Sequence, residues 1–589
     1  MTSTSLASRI DSLLAAAFSS LSLPVELAKS TPSARPDLAD RQCNAAIRLG
    51  KASGRDPMSV AGEIAMALAA HDEFAEVSVA KPGFINMRVS DGFLDKMTGA
   101  QAASAHLGIE QAAKPERILI DFGGPNVAKP LHVGHLRSLV IGEALRRILL
   151  ACGHRAVSDV HLGDWGLQMG MLISALELRQ PELPYFDAAF EGPYPDTPPV
   201  TLADLENMYP DAAAACKADS QRMEAARKAT AALQSGHPGY RALWSHFREL
   251  SLTAQRQDFA GLGAHFDLFE GESDADPLIA PMIADLSARG LAKESEGAIV
   301  IEVAAQDSKE PMPPLLLAKA DGAALYATTD LATILDRVSR LKAERILYVV
   351  DQRQKLHFEQ VFRAAKLAGL AEGCALEHIG FGTVNGKDGK PFKTRQGGVM
   401  QLSALLAEAT GKAAQRLESS GHVADFSQEE KAMLARKVGI AAVKFADLSS
   451  LRTSGYIFDP ERLVSFEGKT GPYLQYACVR ISSILTLAAE RGLKPGPVRI
   501  SVPAERELAL ECLRFPEAVA ASARTLQPNE IAEYAFTLAK KFSRFYDECP
   551  VLAGPGTNVQ GARLALCDAA HAVLSRALWL LGIDVPERM

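Results

Sequence analysis

Apolar residues recur at helical spacing close to the amino terminus. One face of the predicted helix would carry Leu6, Ile10, Leu13, Ala17 and Leu21, with charged residues on the other faces. This arrangement is typical of an amphipathic surface helix. The Ser/Ala/Leu-rich composition of residues 13–23 also resembles the core of a signal peptide. The helical periodicity favours the first element of a globular domain.

Two short segments of strand-like alternation follow, at residues 76–80 and 84–89. The sequence between them, Lys81-Pro82-Gly83, has the composition of a turn. Because helical patterns precede these predicted strands, the sequence indicates a small α+β domain over residues 1–112.

An apolar run at residues 117–121 predicts a buried strand that ends at Gly123-Gly124-Pro125. A helical pattern then covers about residues 134–151 and closes at Gly153. A second strand-like segment occupies residues 156–160. The order strand, glycine-rich turn, helix and strand indicates a βαβ unit of a doubly wound parallel sheet.

Another buried-strand pattern, at residues 345–351, precedes a further helix and would belong to the second half of the same sheet. Residues of about 166–310, between the two halves, are charged and helix-rich, so we interpret them as insertions. An α/β domain is therefore expected over residues 113–435. Beyond it, residues 436–589 carry helical patterns at 471–489, 505–526, 530–548 and 561–581, which predict an all-α bundle.

Composition narrows the class of protein. A chain of 589 residues with 48% apolar and 23% charged residues is expected to form several globular domains. It has no run of about 20 apolar residues, the length that a membrane span needs, so no membrane association is expected. A net charge of −7 argues against indiscriminate nucleic-acid coating. The eight cysteines form no CxxC pair, which fits reduced cytosol and predicts no metal site.

The segment between the predicted strand and helix carries the strongest chemical signal. His132, Gly134 and His135 form an HxGH pattern at the start of the helix. A nucleoside triphosphate needs donors for its phosphates, free N–H groups at a helix start and a residue without a side chain near its base. The alternatives are a histidine metal pair and a chance pair of surface residues.

This pattern resembles the first signature of the class I aminoacyl-tRNA synthetases. Wider matches narrow the resemblance to arginyl-tRNA synthetases of the bacterial type. They are Asp121-Phe122-Gly123-Gly124-Pro125-Asn126-Val127-Ala128-Lys129, His161-Leu162-Gly163-Asp164-Trp165-Gly166, Tyr326-Ala327-Thr328-Thr329-Asp330, Asp351-Gln352-Arg353-Gln354 and Pro586-Glu587-Arg588-Met589. The resemblance implies a Rossmann-type catalytic domain, an N-terminal domain that contacts tRNA and a C-terminal anticodon-binding domain.

The resemblance also implies the substrates and the site residues. ATP, carried with Mg²⁺, would be bound by Pro125, Asn126, His132, Gly134 and His135. L-arginine would be bound by Asp121, Asn126, Tyr326, Asp330 and Gln354. A guanidinium carries five donors and therefore requires acceptors such as these carboxylates. The family also allows Glu at the position of Asp121.

Two of the arginine-site residues have simpler explanations. Asp330, at an apparent helix start after the apolar segment 323–327, could be an N-cap or first-turn residue. Tyr326 could be an aromatic residue of the core.

A second class I signature is a loop whose lysines neutralise pyrophosphate, and residues 386–395 occupy its place. Lys390, Lys393 and Arg395 would serve there, although the composition also fits an ordinary solvated loop. Gln396 stands where the signature has its final lysine. Lys129, three residues before His132, is the expected substitute, and the alternative is a solvated lysine of the turn.

The expected function is therefore cytoplasmic charging of tRNA(Arg) with arginine, by a monomer, through an arginyl-adenylate. In the C-terminal domain, Tyr546 and Met589 match family positions that touch the anticodon. Two other functions use part of the same evidence. A small-molecule adenylyltransferase would explain HxGH, and an inactive relative that only binds tRNA would explain the overall resemblance.

Overall fold

The structure is a computed structural model that describes residues 5–304, 312–318, 325–390, 400–421, 423–554 and 556–589. Its amino-terminal part packs helices on an antiparallel sheet of order β1-β2-β4-β3. The elements are α1 (Leu6–Ser20), β1 (Thr31–Pro32), β2 (Arg41–Cys43), α2 (Ala45–Ser53), α3 (Pro57–Ala69), β3 (Phe74–Ala80), β4 (Phe84–Val89) and α4 (Asp91–Ala102). Ser5 caps α1 by accepting a hydrogen bond from the amide of Ser8. The predicted α+β character is confirmed.

The first βαβ unit has the predicted order. It consists of β5 (Arg117–Phe122), α5 (Val133–Ala151) and β6 (Arg155–Asp159). Helix α5 packs closely on the sheet because Gly142 faces Phe122: a Cβ at Gly142 would lie 2.2 Å from the Phe122 ring. Ile118, Ile120 and Phe122 of β5 and the buried apolar residues of α5 belong to the largest buried core, whereas Leu119 belongs to a second cluster.

The insertion begins with helices and ends with a small antiparallel sheet. Its elements are α6 (Leu167–Arg179), α7 (Leu202–Ala218), α8 (Ser220–Gln234), α9 (Pro238–Gly261), α10 (Glu272–Ala288), β7 (Ala292–Ser295), β8 (Ala298–Ile301) and β9 (Leu315–Ala318). The helix-rich character is confirmed. The three strands, which pair in the order β7-β8-β9, were not predicted, because strands of four residues are too short to show alternation.

The second half of the sheet follows with α11 (Tyr326–Ser339), β10 (Arg345–Val349), α12 (Lys355–Ala368) and β11 (Ala375–His378). The completed parallel sheet has the order β11-β10-β5-β6. Strand β5 is therefore central, and its carboxyl end, at the place where the strand order reverses, is the position where such sheets bind ligands.

The remaining residues form mainly helices. They are β12 (Val384–Asn385), α13 (Leu402–Ser420), α14 (Gln428–Leu448), β13 (Tyr456–Ile457), α15 (Pro460–Leu463), α16 (Gly471–Glu490), α17 (Pro503–Leu513), α18 (Phe515–Thr525), α19 (Asn529–Glu548) and α20 (Thr557–Leu580). The predicted bundle is confirmed. The single helix predicted at 505–526 is wrong, because the chain forms two helices that meet at Arg514. Pro516 has no N–H for a continuous helix, and it lies in the first turn of α18.

The expected domain boundary at residues 435 and 436 falls inside α14. The amino-terminal part also contacts the bundle directly. Arg506 pairs with Asp40 at 2.7 Å and with Asp91 at 2.8 Å. Arg41, which is buried, pairs with Glu517 at 2.7 Å. These contacts fix the first part of the chain against α17 and α18.

Candidate active site

The turn between β5 and α5 is shaped by unusual backbone angles. Gly123 and Gly124 have φ angles of +93° and +45°, and Ala128 has a φ of +60°. Asn126 forms a parallel bridge with Gly163, where a Cβ would lie 2.3 Å from the Asn126 side-chain oxygen. The contact with Gly163 therefore ties the turn to the segment that follows β6, ahead of His132.

His132 and His135 hold the start of α5 through their own rings. The amide of Gly134 donates to Nδ1 of His132 at 3.0 Å, and the amide of His132 donates to Nδ1 of His135 at 3.0 Å. The ring centroids are 3.9 Å apart. Because each Nδ1 accepts a hydrogen bond, the proton of each neutral ring is on Nε2, which can donate to a ligand.

The surroundings of both rings favour the uncharged form. Burial, with smaller contributions from the charges of His132 and Lys129, lowers the pKa of His135 to about 3. Burial also lowers the pKa of His132, with a further contribution from Lys129. The pair can therefore offer neutral N–H donors rather than positive charges.

Gly134 has a local reason to lack a side chain. A Cβ there would lie 2.6 Å from Cε1 of His132 and 2.8 Å from its Nδ1. The expectation from sequence was room for an adenine base. Whatever the role of a ligand, the His132 ring already requires glycine at this position.

Lys129 provides a positive charge beside the two histidines. Its Nζ lies 4.4 Å from the ring centroid of Tyr209, which belongs to α7 of the insertion. Because the Lys129 charge lowers the pKa of both histidines, it lies within electrostatic reach of both rings.

Asp121, expected to bind the guanidinium of a substrate, already contacts a guanidinium of the protein. Arg337 of α11 is buried, and its NH2 lies 2.7 Å from Asp121 and 2.6 Å from Asp159. Asp121 and Asp159 are paired neighbours in β5 and β6. Arg337 is distant from Asp121 in the chain, so no sequence pattern indicates this internal partner.

Asp330 and Tyr326 lie at the start of α11. The helix begins at Tyr326, so Asp330 is its fifth residue, and the N-cap alternative is wrong. The Asp330 carboxylate contacts Nε2 of His357 at 2.6 Å, and its side chain is 24% exposed. Tyr326 is 73% exposed, so the core-aromatic alternative is also wrong.

Glu272 is a further acidic residue of this region that the sequence analysis did not identify. It is the first residue of α10, after Gly271. Burial raises its pKa to about 7, and the charges of His161, Asp164 and Asp330 also act on it. A strongly shifted carboxyl among charged groups is a functional-site candidate. Only the folded chain brings it here, since no motif in the sequence marks it.

Gln354 lies in the turn that follows β10. The turn, Gln352–Gln354, precedes α12, and Gln354 is exposed there. His357, the partner of Asp330, follows in the same helix start. Gln354 therefore lies three residues before His357, the histidine that contacts Asp330.

The second-signature loop begins after β12, which pairs with β13. Lys387 pairs with Asp459 at 3.2 Å. The amide of Gly386 donates to the carbonyl of Lys390 at 2.8 Å, which closes a turn, and Lys390 is exposed. Lys393, Arg395 and Gln396 lie outside the described residues.

The two expected anticodon residues pack against different clusters. Tyr546 lies on α19, where the guanidinium of Arg480 is 4.1 Å from its ring centroid. Met589 is partly buried against α13 and α14. The adjacent Arg588 pairs with Glu430, which holds the end of the chain on α14.

Within the described ranges, no group of three or more His, Cys, Asp or Glu side chains could hold a metal ion. All eight cysteines are free thiols. No helix in the described part of the chain is both long and apolar enough to cross a membrane.

Three family descriptions match successive parts of the sequence. "Arginyl tRNA synthetase N terminal domain" matches residues 4–89. "tRNA synthetases class I (R), catalytic domain" matches residues 100–460. "DALR anticodon binding domain" matches residues 474–589.

Similar proteins extend over the full chain. An arginine–tRNA ligase of Maricaulis maris is 49% identical over 586 residues, which cover 99% of this chain and 100% of that protein. The arginine–tRNA ligase of Hyphomonas neptunium is 49% identical over 588 residues, with 100% of each covered. Among solved structures, the arginyl-tRNA synthetase of Thermus thermophilus has a TM-score of 0.79 and 25% identity, and covers 99% of this chain and 100% of its own. That of Plasmodium falciparum has a TM-score of 0.81, 23% identity and 100% coverage of both, and shares the fold.

Proposed function

The chain belongs to the arginyl-tRNA synthetase family, and from that premise we propose how its residues carry out the reaction. The enzyme is an ATP-dependent arginine–tRNA ligase of class I. The carboxylate of arginine attacks the α-phosphorus of ATP and releases pyrophosphate. A hydroxyl of the terminal adenosine of tRNA(Arg) then attacks the carbonyl of the arginyl-adenylate, which breaks the mixed-anhydride bond and releases AMP. Such reactions depend mainly on positioning and charge stabilisation.

The nucleotide side of the site is the turn from Pro125 to His135. Nε2 of His132 and Nε2 of His135 donate to phosphate oxygens as neutral groups, which the lowering of both pKa values by burial supports. Asn126, Gly134 and the free N–H groups at the start of α5 complete the ATP site. Lys129 supplies the positive charge that neutral histidines lack, and Lys390, Lys393 and Arg395 of the second-signature loop assist it.

The arginine side lies around α11. Asp330 and Glu272 are the acceptors for the cationic groups of the substrate, because both are acidic and the charge of Asp330 acts on Glu272. The sides of the pocket are formed by Tyr326, Asn126 and Gln354. Asp121 has a narrower role in this proposal, because it is already paired with Arg337. It forms part of the base of the pocket, and Asp330 and Glu272 are the main acceptors for the substrate.

Mg²⁺ is proposed to arrive with ATP. Its usual ligands are phosphate oxygens, waters and one or two carboxylates rather than a dedicated protein cage. The donor set of the described residues fits this, since it offers no cluster of three or more His, Cys, Asp or Glu side chains. When bound, Mg²⁺ would neutralise part of the phosphate charge.

Each of the three parts of the chain is assigned a task in the reaction with tRNA. Residues 1–112 are proposed to contact the body of tRNA, residues 113–435 to perform catalysis and residues 436–589 to bind the anticodon with Tyr546 and Met589. The aromatic ring of Tyr546 can stack on an unpaired base. We further propose that the enzyme acts as a monomer in the cytoplasm.

The orientation of the two histidines, in which a backbone amide donates to each Nδ1 and the proton of each neutral ring is on Nε2, carries the assignment of the ATP site. Formation of AMP and pyrophosphate from ATP tests it against the two other functions. We expect product only with both arginine and tRNA(Arg) present. Pyrophosphate formed without tRNA but with another small acceptor, and without free AMP, would favour an adenylyltransferase. Tight tRNA binding without any ATP consumption would indicate an inactive relative.

A further inference from the structure

The ring of Tyr209 lies over the ammonium group of Lys129. The 4.4 Å distance from Nζ to the ring centroid is well inside the range of about 6 Å over which a ring face attracts a cation. Lys129 belongs to the turn before α5, whereas Tyr209 belongs to α7 of the insertion. The contact therefore joins the insertion to the nucleotide side of the active site.

Tyr209 also lies close to the arginine side. Its phenol is one of the groups whose electrostatic effect raises the pKa of Tyr326, after burial and the charge of Glu272. Tyr209 thus contacts the lysine proposed for the phosphates and lies within electrostatic reach of the tyrosine proposed for arginine. A single side chain of α7 is near both halves of the site.

The chemistry of lysine explains why a ring would be useful here. The ammonium is a compact charge at the end of a flexible stem, so it needs a partner to stay in one place. A carboxylate would fix it but would also neutralise it. An aromatic face attracts the cation and leaves its three N–H donors and its charge available to phosphate oxygens.

We propose that Tyr209 is a positioning residue for the ligase reaction and that its ring holds the Lys129 ammonium where the triphosphate binds. This rests on the proposed role of Lys129. The insertion thereby contributes to adenylate formation through one cation–π contact. Tyr209 acts through Lys129 and needs no contact with a substrate.

The test compares substitutions that keep or remove the ring. Tyr209→Phe keeps the ring face, so we expect kcat within about twofold of the parent enzyme. Tyr209→Leu removes it, and kcat should fall roughly 3- to 30-fold, the range that a cation–π contact spans. KM for arginine should stay unchanged in both. Asn207→Leu, at an exposed position of the same helix, is the matched control and should behave like the parent.

The same substitution in a Lys129→Ala background separates this role from others. We expect Tyr209→Leu to have no further effect there, because the cation that the ring holds is already gone. A loss that persists in that background, or an equal loss in Tyr209→Phe, would overturn the proposal and indicate contact of the ring or hydroxyl with a substrate. Normal kcat in Tyr209→Leu with impaired Lys129→Ala would also overturn it. Normal kcat in Lys129→Ala would instead overturn the proposed role of Lys129.

Discussion

The carboxylate of Asp330 lies 2.6 Å from Nε2 of His357, across the contact between α11 and α12. The histidine fixes the orientation of the carboxylate, and about a quarter of the Asp330 side chain stays exposed. An oriented and accessible carboxylate at the carboxyl end of the sheet is suited to binding a guanidinium.

Removal of this carboxylate should affect arginine selectively. Breaking a buried charge pair costs about 3–5 kcal/mol, and partial exposure places Asp330 toward the lower end of the effect. We expect Asp330→Ala to lower kcat/KM for arginine by roughly 10² or more, with KM for ATP nearly unchanged. Asp336→Ala, on the same helix but paired with Arg340 at the surface, is the control. Normal arginine kinetics in Asp330→Ala would show that the pocket is assigned wrongly.

The carboxyl of Glu272 should make both stability and arginine binding depend on pH. Its pKa in the folded chain is raised to about 7 by burial, so between pH 4.5 and 7 the folded state binds more protons than the unfolded state. The free energy of unfolding therefore decreases as pH rises through this window. Glu272→Gln should remove this decrease, so its melting temperature should exceed that of the parent enzyme more at pH 8 than at pH 5.5.

A bound cation favours the ionised form of Glu272. KM for arginine should therefore fall as pH rises through about 7 in the parent enzyme and lose this dependence in Glu272→Gln. If the two proteins gave parallel melting and KM profiles, Glu272 would lie outside the arginine pocket.

The charge of Lys129 should matter mainly for the chemical step. Removing one preorganised charge donor usually lowers kcat by roughly 10² to 10³. We expect that loss in Lys129→Ala, with KM for arginine nearly unchanged, and a smaller loss in Lys390→Ala. Gln396→Lys in the Lys129→Ala background should recover part of the rate in steady-state aminoacylation. A near-normal kcat in Lys129→Ala would indicate that residues 387–395, and not Lys129, supply the positive charge for the phosphates.

A buried ion pair links the signature helix to α14. Nε of Arg137, two residues after His135, lies 3.1 Å from Asp447, and both side chains are buried. Because removal of one partner leaves an unpaired buried charge, Asp447→Ala should lower the free energy of unfolding by about 3–5 kcal/mol and lower kcat through α5. Thermal or denaturant unfolding measures the first effect. Glu461→Ala, which breaks an exposed pair with Lys412, should change stability little, and equal effects of the two substitutions would contradict this account.

The sequence predicted those parts of the molecule that depend on local patterns. The apolar runs of β5 and β10 and the turn before His132 follow from residues that are close in the chain. The class of the amino-terminal and carboxy-terminal parts follows from similar patterns. The break at Arg514 could also have been found locally, since Pro516 marks it.

The partners within the site could not be predicted in the same way. Arg337 reaches Asp121, His357 reaches Asp330 and Tyr209 reaches Lys129 only after distant segments pack together. The raised pKa of Glu272 depends on burial and on neighbours from two distant parts of the chain, the segment between β6 and α6 and helix α11. Sequence patterns report periodicity and short-range geometry, whereas these contacts depend on the tertiary structure.

The selectivity of the enzyme for arginine is tested most directly by aminoacylation of unfractionated tRNA. Each amino acid is supplied in turn, in labelled form, with the enzyme, ATP and Mg²⁺, and the label bound to acid-precipitable tRNA is counted. We expect label on tRNA when arginine is supplied, no label with any other amino acid, and none when ATP is left out. Attachment of a different amino acid, or no attachment of arginine by folded enzyme, would contradict it.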